Sequence, residues 1–295
     1  MLTAFALVAA ALLLAHPGHP VEAWWVSGHR ILAKAAALAL PDEAPAFLRE
    51  GGEALAAYSG DPDAFKNRGT PHLSRTESPE HYIDLEFFEG IELPEGRSNY
   101  MRRCAELGVD PRRAGFLPYA IHEHTDRLTI AFALWRADPT PFAEARVLYW
   151  AGVLSHYSAD AANPLHLTIH HNGRARPDGT SPQTGIHNRV DALPEYLAPD
   201  PARLAETVSP APLGNTFRQT VARMVGWHDR VDRIYAIEDL LPPGQSGRGW
   251  EAAEVVREYG QLLMTDAVDL TASLWLTAWQ RSEEISLPAW AFPPP

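Results

Sequence analysis

The chain has one cysteine, Cys104, in 295 residues. A single thiol excludes an intramolecular disulfide, so tolerance of harsh conditions has to come from packing or from bound metal. Positive charge is also scarce: 25 Lys and Arg stand against 37 Asp and Glu, for a formal net charge of −12 with His neutral. An acidic surface of that size argues against broad electrostatic binding of nucleic acid, which depends on Lys and Arg neutralising phosphates. The sequence further lacks an internal repeat, an alternating apolar pattern that would mark an extended sheet, and the glycine-rich phosphate cradles GxGxxG and GxxxxGK[ST]. No Ser or Cys sits in an activating setting, and Cys104, with no partner nearby in sequence, reads as packed.

Apolar runs of membrane-spanning length are missing too. The longest, Ala4 to Ala15, is too short to cross a bilayer and is followed by a small-residue exit at Val21-Glu22-Ala23. That pattern predicts a signal peptide over residues 1–23, cleaved between Ala23 and Trp24, and a secreted or periplasmic mature protein with no transmembrane segment. An ordinary buried helix is the other reading of this run, because no Lys or Arg follows Met1. Cleavage would remove Glu22 alone among charged residues, taking the formal charge from −12 to −11.

The remaining 24–295 reads as one all-α domain. Helical periodicity marks Ser27 to Leu40, Pro118 to Ala137, Phe142 to Ala161, Asn215 to Leu241 and Trp250 to Gln280. Pro-rich and Gly-rich connectors are expected at Gly60 to Pro79, Pro94 to Gly115, Asn172 to Gly185 and Pro242 to Gly249.

Polar residues inside the apolar segments carry the chemistry. His156 and Asp160 are four apart, so a helix stacks them on one face, and Pro164 then ends or bends that helix near His166. An imidazole and a carboxylate side by side suit a divalent metal of zinc type, or form a satisfied buried pair. The spacing recurs at His187 and Asp191, directly after the Gly-containing connector; a capping His and a surface acid would look the same. His29 and His81 lie in short distinctive settings, Trp24-Trp25-Val26-Ser27-Gly28-His29 and His81-Tyr82-Ile83-Asp84-Leu85-Glu86. Between them Tyr58-Ser59-Gly60-Asp61-Pro62-Asp63 is a tight-turn sequence that offers a carboxylate to a metal or simply an Asx-turn. His72, His122, His124, His170, His171 and His228 have no paired spacing and read as structural or surface histidines.

In chain order, Trp24, His29, Asp61, His81, His156, Asp160, His166, His187 and Asp191 resemble the ligand set of the zinc-dependent phospholipase C and S1/P1 nuclease superfamily. The segment 81–86 and the final helix through Trp275 and Trp279 look like the bacterial zinc-dependent phospholipase C branch. The resemblance implies three zinc ions per chain. The mature N-terminal Trp24 would chelate through its amino nitrogen and carbonyl oxygen. Trp24, His29 and a bridging Asp160 would hold one ion; His81, His156, Asp61 and Asp160 its neighbour; and His166, His187 and Asp191 the third. In this reading Asp61 positions or deprotonates the water that attacks phosphorus, Asp160 bridges the paired ions, and the ions supply the positive charge that the acidic surface lacks.

The expected activity is therefore a zinc-dependent phosphoric diester hydrolase, acting on a phospholipid head group or on single-stranded nucleic acid. A phospholipase C-like phosphodiesterase is favoured by the segment 81–86 and the final helix. The alternatives are a single-strand nuclease and 3′-nucleotidase of S1/P1 type, and a non-catalytic zinc-stabilised interaction protein. Neither specificity signature is intact. The nucleases' arginine, three residues after the position matched by Asp61, is Ala64 here; the three positions that line the phospholipases' choline pocket hold Ser27, Pro62 and Ser78.

Overall fold

The computed structural model describes residues 25–243 and 249–290. Among these residues the fold is all-α, as the periodicity predicts: helices and 3-10 turns, no named strand, and two isolated bridges, one of which pairs Ile83 with Gly115. The helices that place the site are, in chain order, α1 (Val26–Leu38), α2 (Gly52–Tyr58), α3 (Asp61–Phe65), α4 (Pro71–Glu77), α5 (Leu117–Ala137), α6 (Pro141–Ala162), α7 (Ile186–Asp191), α8 (Thr216–His228) and α9 (Glu254–Arg281). No helix of the described residues is long and apolar enough to cross a membrane. The expected leader and Trp24 lie outside the described residues.

Helix α6 is the axis of the molecule. Pro141 enters at its first turn and the Thr140 hydroxyl accepts the Ala143 N–H at 3.3 Å, which caps it. Every residue from Ala151 to Ala162 is buried, because α1, α2, α5 and α9 pack around it. The final helix is keyed to it by Trp275, whose indole N–H donates to the Ala151 carbonyl at 3.0 Å while its ring is fully enclosed. Truncating such a side chain costs about 3–5 kcal/mol. Gly152 lets α2 approach closely: a Cβ there would meet the Tyr58 Cβ at 2.6 Å. That approach brings the end of α2, and with it the Ser59 carbonyl, to His156.

Two expected connectors contain helices. The stretch 60–79 holds α3 and α4, and 94–115 contains Arg97–Leu107. Their apolar signal is thin: in Arg97–Leu107 only Tyr100 and Cys104, one turn apart, are buried, between an extended Gly96 and a left-handed Gly108. The expected single segment 215–241 is broken at Asp229 and Arg230 into α8 and Val231–Ala236. Residues 172–185 form an irregular connector as expected, and part of 242–249 lies outside the described residues.

Candidate metal centre

Eight side chains from six parts of the chain converge beside the buried end of α6. The first turns of α1 carry His29 on the face that also buries Leu32, Ala33 and Ala36. α3 brings Asp63, the 3-10 turn Ser78–His81 brings His81, α6 brings His156 and Asp160, the 3-10 turn Pro164–His166 brings His166, and α7 brings His187 and Asp191. Asn163 organises the junction. It sits in the extended conformation required before a proline, ends α6, and accepts the Leu165 N–H at 3.0 Å to start the His166 turn. Its amide also donates to Asp191 Oδ1 at 2.6 Å. Backbone bonds from Ile83 N–H to the His166 carbonyl (2.8 Å) and from Leu85 N–H to the Leu167 carbonyl (3.1 Å) clamp the His81 segment to the same turn.

These residues form three groups that could hold a metal ion: His29, His156 and Asp160; Asp63, His81 and His156; and His166, His187 and Asp191, each with ligand atoms within 4.8 Å of one another. Asp160 joins the first two. Its Oδ1 is 3.4 Å from His29 Nε2, and its Oδ2 is 3.0 Å from His81 Nδ1 and 3.4 Å from His156 Nε2. In the third group Asp191 Oδ1 lies 3.6 Å from His166 Nε2 and Oδ2 lies 3.1 Å from His187 Nε2. The rings of His29 and His156 stack at 3.8 Å.

The donor set fits a metal ion on two counts. First, three histidines have the nitrogen remote from the carboxylates against a main-chain carbonyl: His156 Nδ1 to Ser59 at 2.8 Å, His166 Nδ1 to His81 at 2.7 Å and His187 Nδ1 to His171 at 3.2 Å. An N–H donated there fixes the tautomer and leaves the Nε2 lone pair facing the carboxylates, as metal-binding histidines require. Second, the buried polar atoms with no hydrogen-bond partner collect here. Eight of thirteen among the described residues belong to this cluster: both ring nitrogens of His29, both oxygens of Asp63, His81 Nε2, Asp160 Oδ1, His166 Nε2 and Asp191 Oδ2. Asp63 Oδ1 also has the Lys66 ammonium at 2.5 Å, and His81 Nε2 has Glu77 Oε1 at 3.4 Å; buried polar groups are otherwise nearly always paired, and a cation would supply what the other six atoms lack.

The local charges are mutually dependent. Burial pushes the Asp160 carboxyl up, but His156 and His166 beside it hold it well below the usual carboxylate range. Burial also pushes His166 down, yet the Asp160 and Asp191 carboxylates raise it to about 9. His29 goes the other way, to about 4, because burial and the neighbouring His156 outweigh Asp160. Asp63 is held low against burial by His156 and by Lys66, whose ammonium lies 2.5 Å from Asp63 Oδ1.

Of the residues expected from the sequence, His29, His81, His156, Asp160, His166, His187 and Asp191 fall in the three groups. Trp24 lies outside the described residues, although the next residue, Trp25, donates its N–H to the Asp191 carbonyl at 3.3 Å. Asp61 is not in any of the groups; Asp63 is. Two residues apart on a helix point to different faces, so only one of the pair can turn inward, and the ion pair with Lys66 three residues on accompanies Asp63. Three residues after the inward aspartate the chain carries Lys66, a cation, rather than Ala64. Of the histidines without paired spacing, His171 lends a main-chain carbonyl and His228 pairs with Glu86 at 3.0 Å, outside the groups.

No family model matches the chain, and no curated protein or solved structure matches it.

Proposed function

We propose that this protein is a zinc-dependent phosphoric ester hydrolase of phosphodiesters, exported and completed at its N-terminus by Trp24. The observation that carries the reading is the shared carboxylate of Asp160, which faces two histidine groups at once. His29, His81, His156, Asp63 and Asp160 would hold the paired cations, and zinc bound there would supply Lewis acidity and a water of near-neutral pKa for in-line displacement at phosphorus. The chain's own residues would do the rest. Asp63, inward and held ionised, is the carboxylate placed to orient that water or take its proton, the role the sequence alone gives to Asp61. A cation held by His166, His187 and Asp191 would supply positive charge against the leaving oxygen. Likeness to the zinc-dependent phospholipase C and S1/P1 nuclease superfamily supports the same chemistry through the ordered ligand set.

The phospholipase C-like reading rests on the segment 81–86 and on the final helix through Trp275 and Trp279. Lys66 favours the second reading, a nuclease of S1/P1 type, since an ammonium three residues after the inward aspartate stands where those nucleases carry a phosphate-holding arginine. Turnover of a chromogenic phosphocholine ester against turnover of single-stranded DNA by the zinc-loaded protein separates them. Hydrolysis of neither, with zinc bound, would reject the enzyme reading and leave a zinc-stabilised interaction protein.

A further inference from the structure

Behind His81 lies a buried carboxylate that belongs to none of the three groups. Glu77 closes α4 one turn before His81 and is 9% exposed. Its Oε1 is 3.4 Å from His81 Nε2, and the same oxygen accepts a hydrogen bond from the Tyr157 hydroxyl. Tyr157 follows His156 on α6, is enclosed by the core, and stacks on the His124 ring at 4.9 Å. The opposite nitrogen of His81 faces the metal groups: Nδ1 is 3.0 Å from Asp160 Oδ2 and 3.0 Å from His156 Nε2. His156, His166 and His187 are arranged the other way round, with Nδ1 on a carbonyl and Nε2 toward the carboxylates.

We propose that Glu77, held in place by Tyr157, is a positioning residue that fixes His81 in the Nε2–H tautomer, so that His81 binds its cation through Nδ1. This rests on the reading of the cluster as a zinc centre. Which nitrogen of a histidine takes the metal is set by the partner of the other, and a carboxylate on that partner nitrogen also raises the basicity of the ligand. Main-chain carbonyls serve this purpose for the other three histidines. The 3-10 turn that carries His81 aims its remote nitrogen away from the centre, toward the end of α4, where Glu77 stands. Charge-assisted contacts of this kind run about 2.7–2.9 Å. At 3.4 Å the contact is long, and a cation on Nδ1 would polarise the N–H and draw it in.

The test uses the full-length exported protein loaded with zinc, with Glu77→Gln, Glu77→Ala and Tyr157→Phe beside the wild type. Long-range nitrogen–proton NMR of the zinc-loaded wild type should show His81 protonated at Nε2, a readout that does not depend on any variant folding. Competition with a chromophoric chelator should show one zinc loosened about 10–100-fold in Glu77→Ala, and by less in Glu77→Gln, which keeps an acceptor. Tyr157→Phe should fall between wild type and Glu77→Ala. Zinc on Nε2 of His81, or unchanged affinity for every zinc in a folded Glu77→Ala, would overturn the assignment while leaving the metal centre standing. A wild type that takes up no zinc would overturn both.

Discussion

Stripping divalent metal from the protein should remove a large part of its stability. Leaving out Asp63 Oδ1 beside Lys66 and His81 Nε2 beside Glu77, six buried atoms of the cluster have no hydrogen-bond partner, and each such group left without one costs about 1–3 kcal/mol. Taken together that is on the order of 10 kcal/mol or more, comparable to the ~5–15 kcal/mol net stability of a whole domain. Binding linkage gives an independent scale: a site held at 100 times its dissociation constant contributes about 2.7 kcal/mol, so three such sites contribute about 8 kcal/mol. For a chain of this size 1 kcal/mol moves the melting temperature by about 2–4 °C, which puts the expected fall near ~15–30 °C. Differential scanning calorimetry before and after dialysis against a chelator, with metal content measured on the same samples, reads this directly. Zinc added back should restore the original transition. A fall of less than ~5 °C in protein shown to be free of metal would mean that protons and Lys66 already balance the cluster, and the reasoning from unpartnered atoms would fail.

Three further outcomes follow from particular residues. Asp63→Asn should lower zinc affinity at the second group by well over about tenfold, while Asp61→Asn leaves zinc content unchanged; the reverse result in a zinc titration would restore the ligand expected from the sequence. Zinc must displace the proton of His166, which the neighbouring carboxylates raise from 6.5 to about 9, so affinity at the third group should climb about tenfold per pH unit and level off near that value. In chelated protein the same proton stabilises the fold fully below pH 6.5, and this contribution is lost as the pH rises through about 9. Asn163→Ala removes the donor to Asp191 Oδ1 and should destabilise the protein by about 1–3 kcal/mol in a denaturant titration, with loss of zinc from the third group.

Much of the cluster can be read in the linear sequence because two His–Asp pairs sit at helical spacing, one of them within the long apolar α6. His156 with Asp160, and His187 with Asp191, share a face by arithmetic alone, and Pro164 announces the end of α6. The choice between Asp61 and Asp63 could not be made that way. Both lie in one short turn-like segment, and which one faces inward depends on how α3 packs beneath α6. The pairing of Asp63 with Lys66 at helical spacing was the available hint. Glu77 and Asn163 were missed for a different reason: they hold other residues rather than belonging to a motif, and Asn163 next to Pro164 looks like ordinary turn chemistry. The helices at 61–65, 71–77 and 97–107 were hidden by short length and polar composition, since their stability comes from packing rather than from a strong apolar stripe.

The central claim, that the clustered His and Asp side chains form a zinc centre, is tested most directly by elemental analysis of the protein purified without chelator. Near three zinc ions per chain is the predicted result. Protein that is folded, correctly processed at Trp24 and free of zinc, with none taken up on titration, would contradict it.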